Sequence, residues 1–109
     1  MTYLRAFILC LVGITPLQVH AHSVLASSTP ADGAVVAAPA ALDLTFAKGI
    51  RLTALGIAGQ SVALPDQSGF GTSFAIPLPA LPPGTHTVEW RGLSADGHVM
   101  KGTLTFTVE

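Results

Sequence analysis

The sequence predicts a small all-β domain, a sandwich or barrel of about seven short strands, and three observations carry that reading. Glycine and proline are frequent, 11 and 8 among 109 residues, and they punctuate the chain every roughly eight to twelve residues. Between them, short runs alternate apolar and polar side chains with the period of two that a half-buried strand requires. Helix signals are nearly absent beyond Ala21.

Residues 1–21 read as a secretory signal peptide and 22–109 as one domain. Arg5 charges a short head, an apolar run follows from Ala6 to Ile14, and Val19-His20-Ala21 closes it with a small-residue cleavage site. The run is shorter than the roughly 20 residues needed to span a bilayer, and nothing later resembles a membrane span. Val24 to Ser27 is the first candidate strand, followed by a turn at Thr29-Pro30-Ala31-Asp32-Gly33. Ala34 to Ala38 reads as a short edge segment stopped by Pro39. Leu42-Asp43-Leu44-Thr45-Phe46 is the clearest alternating strand, with Leu42, Leu44 and Phe46 facing inward. Leu52 to Ala58 and Ser61 to Leu64 read as a hairpin around Gly59-Gln60, and Phe74 and Ile76 mark a further strand closed by Pro77. Pro82-Pro83-Gly84 turns the chain into Thr85 to Ser94, with His86, Val88 and Trp90 on one face. After Asp96-Gly97, a last strand points Leu104, Phe106 and Val108 inward.

Composition narrows the classes of function. The single cysteine, Cys10, lies in the leader, so residues 22–109 hold neither thiol nor disulfide although secretion would permit them. Leu9 before it and the short head argue against a lipoprotein anchor. Stability must come from a thin apolar core. Beyond Ala21, Lys48, Arg51, Arg91 and Lys101 face six carboxylates, Asp32, Asp43, Asp66, Glu89, Asp96 and Glu109. Without a basic cluster in the sequence, nucleic acid has nothing to bind to.

Cleavage after Ala21 makes His22 the first residue, and that changes its chemistry. A histidine at a free N-terminus offers its α-amine and ring Nδ1 together, which close one chelate ring on a metal ion. Asp96 and His98 lie two apart, so on extended backbone they project to one side, and Gly97 frees the chain to bend them together. His22, Asp96 and His98 thus offer nitrogen and oxygen donors that suit Cu(II) in a tetragonal arrangement. Zinc accepts the same atoms tetrahedrally. Reference pKa values of about 7.7–8.0 for the amine and 6.5 for imidazole mean that affinity falls in acid. The plainer readings are that Asp96-Gly97 is only a hairpin turn, that His98 is a solvated loop residue and that His22 is a frayed terminus. His86, beside Val88 and Trp90, reads as a core histidine, Met100 as packing, and Trp90 as a core anchor whose ring N–H needs a partner if buried.

His22-Ser23-Val24-Leu25-Ala26-Ser27-Ser28-Thr29-Pro30-Ala31-Asp32-Gly33 resembles the opening of the copper-resistance CopC family of periplasmic copper-binding proteins. Leu42-Asp43-Leu44-Thr45-Phe46, Gly84 to Arg91, Ser94-Ala95-Asp96-Gly97-His98 and Gly102 to Val108 resemble its later segments, so the likeness spans the chain beyond the leader. The resemblance implies a seven-stranded Greek-key β-sandwich or barrel, Ig-like with cupredoxin-like topology. It implies one Cu(II) bound by His22 through amine and ring, with Asp96 and His98. It also implies a periplasmic, non-enzymatic, monomeric protein that sequesters copper or delivers it to an inner-membrane importer of the CopD type. Some family members carry a methionine-rich loop for Cu(I). Residues 48–74 hold no methionine and no histidine, which argues against such a site here. Two other readings compete. One is a small copper oxidase or monooxygenase-like enzyme with an N-terminal histidine, for which Phe70 is the one candidate platform aromatic. The other is a metal-free Ig-like structural domain.

Overall fold

The computed structural model describes residues 24–109. The leader and His22 lie outside them. Seven strands form, with no helix among the described residues: β1 (Leu25–Thr29), β2 (Val35–Val36), β3 (Ala41–Ile57), β4 (Gln60–Ser61), β5 (Gly71–Pro77), β6 (Gly84–Ser94) and β7 (Val99–Val108). They make one sheet in the order β1-β3-β6-β7-β2, with β4 and β5 also paired to β3, curled into a half-barrel. The expected all-β class is the observed one.

The main departure from the sequence reading is β3. Leu42–Phe46 and Leu52–Ala58 were expected as separate strands, but one 17-residue strand runs through both. Its first half pairs with β1 and β5, and its second half with β6. Ala47, Lys48 and Gly49 therefore bridge two layers without leaving extended backbone, because partners on changing sides keep the chain paired. Thr53 is an extra residue against β6, where Leu52 opposes Gly92 and Ala54 opposes Arg91. This bulge shifts the inward phase from Leu52 to Leu55 and Ile57, so strict alternation fails there. The hairpin that follows turns on Ala58-Gly59, both at positive φ, instead of Gly59-Gln60. That pair of left-handed residues is what a two-residue type I′ loop requires. β4 is shorter than expected, since the chain departs after Ser61 into a loop. Gln67 pins that loop: its Oε1 accepts Leu52 N–H at 2.8 Å and its Nε2 donates to Leu52 O at 3.0 Å. One carboxamide thus completes the ladder of β3 at Leu52 on the side away from β6.

The core is filled from the inner faces of β3, β5, β6 and β7. Phe46 stands edge-on to Phe74 and Trp90, with ring centroids 5.7 and 5.0 Å apart, the favourable arrangement for aromatic quadrupoles. Leu104, Phe106 and Val108 point inward as expected. His86 is buried against Phe106, its Nε2 bonding the Pro82 carbonyl at 2.7 Å. Trp90 is the exception to polar satisfaction. Its Nε1 is buried without a hydrogen-bond partner among the described residues. The indole lies against Gly102, its cross-strand partner on β7, and a Cβ there would stand 2.8–2.9 Å from three indole atoms. A bare backbone lets the ring approach but offers Nε1 no acceptor.

Gly102→Ala therefore overpacks the core at its central aromatic. It should lower stability by about 1–3 kcal/mol, measured by urea unfolding followed through Trp90 fluorescence. Wild-type stability in that variant would show that the indole has other room to move.

Candidate metal centre

β6 and β7 are joined by a hairpin whose loop is Ala95, Asp96 and Gly97. Ser94 N–H donates to His98 O at 3.0 Å, and Gly97 N–H donates to Ser94 O at 2.9 Å. Gly97 has φ +91°, the left-handed residue that closes a three-residue loop after a turn. A Cβ at Gly97 would meet nothing within 4 Å, so glycine is required there by conformation and not by space. The turn reading and the pairing reading of Asp96-Gly97-His98 are therefore both satisfied. The loop geometry, not an extended run, brings the two side chains together.

Asp96 Oδ2 lies 3.0 Å from His98 Nδ1, and both side chains are largely exposed, 58% and 73%. Ser94 beneath them is only 2% exposed. Its hydroxyl donates to Asp96 Oδ1, and its oxygen accepts His98 N–H at 3.2 Å. The Ser94 hydroxyl first, and the His98 ring second, hold the Asp96 carboxyl down to about 2 from an ordinary 3.8. Asp96 is thus an anion at every pH above the strongly acidic range, and one buried residue anchors both exposed ones. Ser94 is the residue that reading for metal donors passes over. Its signal was the inward face of His86, Val88 and Trp90, which continues at period two to Gly92 and Ser94.

The other end of the candidate set is placed through β3. Val24 O accepts Ala47 N–H at 2.8 Å, and Ile50, three residues further along β3, pairs with Ser94. At about 3.3 Å per residue, roughly 10 Å of strand separates the start of the described chain from the hairpin. His86 is remote by the same measure, since eight residues of β6 put about 26 Å between it and Ser94. Met100 is half-buried and packs on the core, as expected for a packing residue. Among the described residues, no group of three or more His, Cys, Asp or Glu side chains converges.

A half-barrel of mainly antiparallel strands with an exposed carboxylate–imidazole pair on its β6–β7 hairpin defines a small β-domain with two polar side chains held side by side. Residues 25–109 match the family model of the CopC domain. The chain is 36% identical over 109 aligned positions to Protein YobA of Escherichia coli K12, covering 88% of this chain and 85% of that one. It is 35% identical to Copper resistance protein C of Pseudomonas syringae pv. tomato, covering 83% and 82%. The crystal structure of CopC from Methylosinus trichosporium OB3b superposes with a TM-score of 0.68 at 30% identity, over 81% of this chain and 94% of that one. PcoC from Escherichia coli, described as a methionine-rich copper resistance protein, gives 0.59 at 34% identity, over 82% and 100%. The chain belongs to the CopC family. It departs from that last relative in having only Met1 and Met100.

Ser94→Ala removes the largest cause of the low Asp96 value. Carbon-detected NMR titration should show its pKa rising from about 2 toward 3.8. An unmoved titration would assign the depression to His98 alone.

Proposed function

We propose that this protein binds one Cu(II) ion as cargo in the periplasm, using the amine and ring of His22 with Asp96 and His98. In this reading it holds copper for sequestration or for delivery to an inner-membrane importer of the CopD type. The observation that carries the proposal is the Asp96–His98 pair. Two donors each about 2.0 Å from a metal and 3.0 Å from one another subtend roughly 97° at it, close to the right angle between neighbours in a tetragonal Cu(II) site. The distance that suits a hydrogen bond therefore also suits replacement of the shared proton by the metal.

Two further observations support the set. Asp96 is ionised before any metal arrives, so only the nitrogen donors must lose protons on binding. β1 begins beside Ala47, at the end of the half-barrel that carries the hairpin. Two residues can span at most about 7 Å, so in this reading His22 would be within that reach of Val24. The family relatives named as copper resistance proteins support copper as the cargo.

Electron paramagnetic resonance of protein processed after Ala21 should give a tetragonal Cu(II) signal with nitrogen hyperfine structure at one copper per chain. A version retaining Met ahead of His22 keeps the ring but loses the amine, and should bind much more weakly. His98→Ala and Asp96→Ala should each abolish the signal. Ser94→Ala, which only orients them, should weaken binding by roughly 10–100-fold. Copper should be released on acidification well above the pH at which Asp96 protonates. A signal unchanged by the added Met would refute the proposed coordination.

A further inference from the structure

We infer that the outer face of β6–β7 and the free edge of β7 form a docking site for an extended, carboxylate-bearing segment of a partner protein. The outward residues of these strands pair across the ladder in sequence. Thr85 faces Thr107 and Thr87 faces Thr105, each pair joined by hydroxyls 3.1–3.2 Å apart. Beyond them, Glu89 faces Thr103, Arg91 faces Lys101 and Leu93 faces Val99. The threonine end is self-satisfied. The Arg91–Lys101 step is not, because two like charges stand directly opposite, an arrangement that costs stability.

No carboxylate lies within 4.0 Å of either among the described residues, where Asp96–His98 is the one such contact, and the neighbouring Glu89 offsets only one of the two charges. Arg51 adds a third cation to the same face, since its partner Leu93 is outward. Three of the four cations beyond the leader are therefore gathered on one face of a domain that is otherwise acidic. A shallow concavity of about 610 Å³ lies there, with Gly56, Glu89, Arg91, Lys101 and Thr103 in its lining, so one carboxylate stands beside two cations. Val99, next along, is 72% exposed.

The adjoining edge supplies backbone groups. Thr105 and Thr107 turn their N–H groups away from β6, and these are taken by Asp32 Oδ1 and Ala34 O. The ladder has no register shift, so Val99, Lys101 and Thr103 turn theirs outward as well. β2 reaches only Thr107 and Val108, which leaves the edge from Val99 to Thr103 without a strand. An incoming strand could pair there by main-chain hydrogen bonds. Lys101 at its centre selects the occupant. A second copy pairing antiparallel about that point would oppose Lys101 to Lys101, whereas an acidic strand would place a carboxylate beside it. The edge begins one residue after His98, so a segment docked here ends at the candidate copper centre. The inference rests on the copper reading only for that purpose.

The test uses the processed protein, nitrogen-labelled, and two blocked octapeptides alternating valine with glutamate or with lysine. The glutamate peptide should shift and protect the amides of Val99, Lys101 and Thr103 in a salt-dependent manner, and the lysine peptide should not. Arg91→Glu with Lys101→Glu should reverse that preference, changing each affinity by roughly tenfold or more. Thr103→Pro deletes an outward N–H without touching the β6 ladder. It should abolish peptide binding at unchanged melting temperature. Equal response to both peptides, shifts confined to other strands, or edge protection through self-association without peptide would each overturn the inference. Copper binding should be unaltered in the charge-reversed protein. Peptide binding that persists when the copper site fails would leave the docking surface standing alone.

Discussion

The continuous strand β3 is the constraint on which the rest of the structure depends. Among the described strands it alone joins the two sides of the sheet, carrying β1 and β5 on its first half and β6 on its second. Seven of the core residues, Leu42, Leu44, Phe46, Ile50, Leu52, Leu55 and Ile57, come from it. Because one strand belongs to both layers, the distance between the start of β1 and the β6–β7 hairpin is fixed by a few residues of stiff backbone. A chain whose single cysteine is Cys10 obtains from this strand what a cross-link would otherwise provide, namely a defined geometry between distant parts of the sequence. The burial phase shift at Thr53 follows from the same demand, since a strand that serves two layers cannot keep one alternation throughout.

The hairpin at the far end of β6 converts that geometry into chemistry. Ser94 is the last inward residue of β6, and burial gives its hydroxyl little choice of partner beyond the loop it supports. Asp96 and His98 could each stand free in solvent, where long-range order of exposed side chains is weak. Ser94 ties one by its carboxylate and the other by its backbone, so the pair is held from beneath. The low Asp96 value is a consequence of this support. Its folded-state value lies below the ordinary one, so the stabilisation it brings is complete above about 3.8 and is lost as pH falls toward about 2. Because Asp96 is largely exposed, this is chiefly a matter of local order in the loop.

Much of this was legible in the sequence wherever one physical rule acted alone. Leu42, Leu44 and Phe46, then Val88 and Trp90, then Leu104, Phe106 and Val108 obey period two, and all are buried. Gly97 was readable as a turn residue, and Asp96 and His98 as neighbours. The readings failed where tertiary partners decided the outcome. Lys48 and Gly49 look like a break, yet pairing on alternating sides carries β3 through them. The turn moved to Ala58-Gly59 because the register of Ile57 with Gln60 demands two left-handed residues there, and alanine accepts that strain. The ring N–H of Trp90 was expected to find an acceptor and finds none among the described residues, because contact with Gly102 decides where the indole lies. Ser94 escaped notice because serine is not a metal donor of first choice, and its importance appears only with its burial.

The placement of the candidate centre bears on how such a domain would handle cargo. Zinc fingers bury their metal and owe their fold to it, so release means unfolding. Here the core is closed by aliphatic and aromatic side chains, and Asp96 and His98 lie on the surface above it. Their mutual contact already exists without a metal, so binding need not first order this half of the site. On this reading the core would hold the fold without a metal, and a bound metal would add stability only in proportion to its differential binding. Exposure also leaves one side of the pair open to an incoming ligand from another molecule. If the proposed ligand set holds, a rim position on the half-barrel would suit transfer better than permanent storage, because a metal could change hands while the strands beneath Asp96 and His98 stay in place.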